Sequence, residues 1–204
     1  MTVKERRARE KAELRQEILD AARELFVRHG YEKFSMRTLA EKIEYSPTTI
    51  YLYFKDKADL VTHLCEETLS KLVRQLETIA SLTTDPLEGL RAGMLAYVEF
   101  GVKHPSEYLV TFVLPHPFGT SESSHSPRPA GMAMRVFDCL RQSVAECIQS
   151  GKFRRLNLEN ASQATWAVLH GVTSLLVVHS DFPRVNREEL VDQVIDTTIE
   201  GLKA

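Results

Sequence analysis

Between Ser35 and Leu60 the chain sets hydroxyls, phenols and ammonium groups at helical spacing, a chemistry suited to polar base edges and phosphates. Ser46-Pro47 reads as an N-cap followed by proline in the first turn, where a missing N–H costs nothing. At 100° per residue, Ile50 and Phe54 share a face and point to a core. Thr48, Thr49 and Leu52 lie opposite, and Tyr51 and Tyr53 project from the flanks. Threonine hydroxyls and methyls can meet base edges in a major groove, and Leu52 can touch a thymine methyl. The tyrosines have the reach for phosphates on either wall, although singly each would pass for a packing residue. Arg37 and Thr38 open the preceding short helix, where Arg37 can bond guanine or phosphate. Lys55 and Lys57, beside the open amides of the following helix, add phosphate contacts. With Tyr45 in the turn, these residues make the candidate DNA-reading set.

Elements that could position this set are helical almost throughout. Ile18, Ala21, Ala22, Leu25 and Phe26 recur at i, i+3, i+4, i+7, i+8, and Gly30 stops that first helix. Ser35 caps a second, with Leu39, Ala40 and Ile43 inward, and Ser46 caps the third. Asp56 opens a fourth, running to about Ala80. Asp85-Pro86 begins a fifth to about Lys103, and His104-Pro105 breaks it. A sixth covers Glu107 to Leu114, a seventh about Ala130 to Ser150, an eighth about Glu159 to Ser180. Asn186 and Glu189 cap a ninth that reaches Leu202. The expected fold is all-α: residues 1–56 form a helix-turn-helix unit with a basic N-terminal arm, and 57–204 a larger helical domain. The fourth helix joins them without a flexible linker, so movement in one can be passed to the other.

Bulk properties agree. The 204 residues are 43% hydrophobic and 26% charged, as in an ordinary globular protein, and the longest apolar runs, such as Val172 to Val178, fall short of a bilayer span. The first residues lack an apolar core, so a secretory signal is not expected and the cytoplasm is the expected compartment. The net charge of −2 hides an asymmetry: residues 1–60 hold 13 Lys and Arg against 11 Asp and Glu, and the rest hold 13 against 17. A basic front beside a helix-turn-helix suits phosphate binding. Cys65, Cys139 and Cys147 have no metal-type spacing and read as reduced thiols, with redox sensing a minor alternative. No His-Glu-x-x-His, P-loop, dinucleotide fingerprint or Gly-x-Ser-x-Gly occurs, so neither an enzyme nor a cofactor is expected.

The run Thr49-Ile50-Tyr51-Leu52-Tyr53-Phe54-Lys55-Asp56-Lys57-Ala58-Asp59-Leu60, with Phe34-Ser35-Met36-Arg37-Thr38-Leu39-Ala40 before it, resembles the TetR family of transcriptional regulators over about Ile18 to Leu64. Two positions depart from the family pattern. Glu44 stands where a turn glycine is usual, at a cost of about 1 kcal/mol if the backbone is left-handed there. Tyr45 replaces a small apolar residue. The resemblance implies all-helical homodimers on palindromic operators, usually repressing until a small molecule in the C-terminal domain releases DNA.

Two further surfaces follow. Val168, Val172, Leu175 and His179 on the eighth helix, with Val191, Val194, Ile195 and Thr198 on the ninth, form seams that could pair with their copies. Met94, Tyr97, Val98, Phe112, Phe137, Leu140, Trp166 and His170 could line an apolar effector cavity, although each singly reads as core. His116 and His125, in a Ser-rich loop from Pro115 to Pro129, are a poor metal pair, and no metal is expected. A helical ligand carrier, or a regulator answering a protein partner, remain the alternatives.

Overall fold

The computed structural model describes residues 2–113, 129–179, 181–182 and 184–204. The loop with His116 and His125 lies outside them. Two compact units divide the chain, the boundary falling between Cys65 and Glu66.

The first unit contains α1 (Val3–Lys33), α2 (Met36–Lys42), α3 (Pro47–Tyr51) and the opening turns of α4 (Lys57–Leu82). Ile18, Ala22, Phe26, Leu39, Ile50, Phe54 and Leu60 close its core, each at most 1% exposed. The expected arm is instead helix. Thr2 and Glu5 form a capping box, and Arg6–Glu10 and Arg9–Glu13 pair at i,i+4. Good helix formers fill the intervening positions. Gly30 breaks the helical dihedrals at φ 70°, as its type allows, before a last turn to Lys33. This compact unit takes in the first turns of α4, where Leu60 and Val61 are fully buried.

The second unit holds the rest of α4 with α5 (Pro86–Lys103), α6 (Pro105–Tyr108), α7 (Pro129–Gln149), α8 (Leu158–Val178) and α9 (Arg187–Leu202). Helix α5 is central, packing on α7, α8 and α9. The expected sixth helix is shorter and continues as a π-helical turn, Leu109–Val113. Buried Leu72, Leu90, Met94, Tyr97, Val144, Leu169 and Ile195 belong to one contiguous core. Among the described residues α8 alone is long and apolar enough to cross a bilayer, but its Ala161, Thr165, Leu169 and Val172 are buried within this unit. Gly101 of α5 is pressed against α8: an added Cβ would lie 2.2 Å from the Thr173 methyl.

Candidate DNA-reading surface and effector cavity

The reading helix is anchored from behind. Ser46 Oγ accepts from the Thr49 amide at 3.1 Å, Pro47 occupies the first turn, and Ile50 is wholly buried. After Tyr51 the chain tightens: the Leu52 amide donates to Thr49 at 3.2 Å and the Tyr53 amide to Ile50 at 3.0 Å. This turn drops Phe54 into the core, edge-on to His63, and pushes Leu52 outward. Leu52 is 74% exposed and Tyr51 52%. Thr48 and Pro47 are also open, whereas Thr49 and Tyr53 are half-buried. Tyr51 and Leu52 thus face water on a helix whose other side is fixed in a core, and this open side is the one available to a partner.

The turn before it is left-handed at Glu44, with φ 59°, and the Tyr45 amide closes it by donating to the Ala40 carbonyl at 3.0 Å. Tyr45 is 42% exposed beside the reading helix. On α2, Ser35 Oγ caps the Thr38 amide at 3.0 Å, and the Arg37 guanidinium bonds Glu41 at 3.0 Å. Arg37 keeps 84% of its side chain exposed, so that pair can open toward a phosphate. Lys55 is exposed. Lys57 also packs within its own unit. Its ammonium sits 4.2 Å from the centre of the Tyr31 ring, and burial holds it below the usual lysine range. It is a half-buried cation packed between α4 and the end of α1.

In the second unit, α4, α5, α7 and α8 enclose a cavity of about 400 Å3. Met94, Tyr97, Leu140 and Trp166, all expected, line it, and Gly89 and Gly93 of α5 leave its floor smooth. Phe112, Phe137 and His170 do not line it but hold Trp166, with ring centres 5.7, 5.6 and 5.5 Å away. Val98 is plain core. The Tyr97 hydroxyl donates to His170 Nδ1 at 2.8 Å, and His170 Nε2–H faces the Phe112 carbonyl at 3.4 Å. That network assigns a neutral imidazole with its proton on Nε2. Burial lowers the His170 pKa and pushes the Tyr97 phenol far above the ordinary range. At the mouth, Arg135 and Glu77 pair at 2.9 Å between α7 and α4. Sequence reasoning missed this pair. Cys139 lies on the wall, and burial raises its pKa, as it raises Cys147 to about 11. Both stay as thiols at neutral pH, which disfavours redox sensing.

The expected seams divide. Val172, Val191 and Ile195 are at most 7% exposed and are buried in the core of their own unit. Their periodicity marked an apolar face, but it is the inner one. Val168 and Leu175 are 39% and 42% exposed, and Val178, which the seam omitted, 49%. His179 is exposed, with Val194 and Thr198 half-buried on α9.

Comparison with known proteins places both units. Residues 18–64 match the family described as bacterial regulatory proteins, tetR family, and residues 90–198 the tetracyclin repressor-like C-terminal domain. The chain belongs to the TetR family of transcriptional regulators. The second match covers more than half of the sequence, so the assignment does not rest on the helix-turn-helix alone. A curated relative, the HTH-type transcriptional regulator AcrR of Shigella flexneri, is 28% identical over 144 residues, 69% of this chain and 67% of that protein. An HTH-type transcriptional regulator of Mycobacterium tuberculosis is 28% identical over 185 residues, 89% and 74% of the two chains. Among solved structures, Bacillus subtilis FadR in complex with stearoyl-CoA superposes with a TM-score of 0.73 at 19% identity, covering 92% of this chain and 98% of that one. This TetR-family protein is therefore a DNA-binding regulator and not an enzyme.

Proposed function

We propose that the protein is a dimeric cytoplasmic repressor that leaves a palindromic operator when a small apolar or aromatic effector fills the cavity between α4, α5, α7 and α8. The exposed Tyr51–Leu52 surface on a core-anchored helix carries the DNA reading. Thr48, Thr49 and Leu52 meet base edges, while Tyr45, Tyr51, Tyr53, Arg37 and Lys55 hold backbone phosphates. Ser46 and Pro47 set the helix start, and Thr38 reinforces the cap of α2. Two copies join through the outward side of α8 and α9, centred on Val168 and Leu175, because a two-fold site requires a two-fold reader. Gly89, Gly93, Met94, Leu140 and Trp166 favour an effector with an apolar body. The stearoyl-CoA held by FadR, a protein of the same fold, supports a ligand of that character. Helix α4 begins beside the reading helix and later forms one cavity wall, so a ligand acting on α4 bears on both.

A gel shift on the region upstream of the protein's own gene tests the reading. Retarded bands that vanish in Tyr51→Ala/Leu52→Ala, with helicity unchanged, are expected. Equal retardation of wild type and variant would remove the reading helix from the interface.

A further inference from the structure

The exposed front of α1 sorts its charges by side. On a helical projection Lys4, Arg7, Lys11 and Arg15 fall within about 80° of arc, on the same stripe as Ile18, Ala22 and Phe26. The side that is apolar where it meets the core thus turns basic where the helix runs beyond it. The acids lie on the other sides and are already engaged. Glu5 accepts from the Thr2 amide at 2.7 Å, Glu10 pairs with Arg6 at 3.5 Å, and Glu13 with Arg9 at 3.4 Å. Among the described residues no carboxylate lies within ion-pair distance of Lys4, Arg7 or Lys11. Residues 2–13 are all exposed, so no packing accounts for this stretch of helix.

The stripe ends against the core side of the turn that follows the reading helix. The Arg15 guanidinium stands 5.1 Å from the centre of the Phe54 ring, between half-buried Tyr53 and exposed Lys55 in sequence. Lys4 to Lys11 spans about 10.5 Å of helix, the axial length of about three phosphates of one DNA strand.

We propose that Lys4, Arg7 and Lys11 form a helical rail that binds successive backbone phosphates beside the groove read by Thr48–Tyr53. The inference rests on the DNA-binding reading above. The rail adds affinity for any duplex and no discrimination between sequences, because phosphates carry none.

Salt dependence tests it. Binding of the full chain to a short random-sequence duplex, and to the region upstream of its own gene, is followed by fluorescence polarisation across a salt series. K4Q/R7Q/K11Q keeps good helix formers at exposed positions, and circular dichroism checks that helicity is intact. The slope of log K against log[salt] should fall in magnitude by about 0.9 per lost phosphate contact, about 2.7 per protomer, on both duplexes. A second variant adds E88Q/E188Q/E200Q in the other unit to restore net charge. The slope should stay low there; recovery to the wild-type slope would assign the effect to overall charge and overturn the rail. A wild-type slope in K4Q/R7Q/K11Q, with wild-type protein binding normally, would overturn the rail alone. Failure of wild-type protein to bind either duplex would remove the DNA-binding reading with it.

Discussion

Glu44 carries a left-handed backbone at φ 59° that only glycine adopts without penalty, in the turn that aims the reading helix. Glu44→Gly should stabilise the protein by about 0.5–1 kcal/mol, seen as a higher thermal midpoint. Lys57 caps the Tyr31 ring, so Lys57→Ala should cost about 0.5–1 kcal/mol in chemical denaturation, and Lys57→Met less, because it keeps the stem over the ring. His170 is held neutral by burial, with its folded pKa below the ordinary 6.5. The unfolded chain therefore takes up the proton first, so the contribution of His170 is full above about pH 6.5 and is lost as pH falls toward its folded pKa. The thermal midpoint should decline through that window, and His170→Gln should flatten the decline.

At the level of elements, the close approach of α5 and α8 at Gly101 sets the reach of the Tyr97–His170 bond. Gly101→Ala should overpack that contact and cost about 1–3 kcal/mol in denaturant unfolding, with the N-terminal reading surface unchanged. The helices themselves were largely legible. Ser35, Ser46, Asp85 and Asn186 announce helix starts through hydrogen bonds within three residues, and each forms. Such signals are local, so sequence holds all of their information. The cavity was half legible. Trp166, Tyr97, Met94 and Leu140 stand out by size, but Gly89 and Gly93 contribute by lacking a side chain. The Glu77–Arg135 pair joins residues 58 apart, and the Lys57–Tyr31 contact likewise joins two helices. Nothing in linear spacing announces partners of that kind. Periodicity on α8 and α9 found apolar faces but could not say which one meets the protein's own core.

For the molecule as a whole, the proposed pairing through the outward side of α8 is what would present two reading heads and not one. Leu175→Glu changes an exposed position, so the protomer should fold while light scattering reports a monomer and operator affinity falls by at least tenfold. A Leu175→Glu protein that remains dimeric would move the interface elsewhere. The surroundings of Trp166 have a further, practical consequence. It is the single tryptophan of the chain, and its indole borders the cavity with aromatic rings on its other sides. Emission excited at the indole band thus comes from one spot, so unlabelled protein can be titrated against a library of candidate inducers and will report occupancy of that chamber by itself.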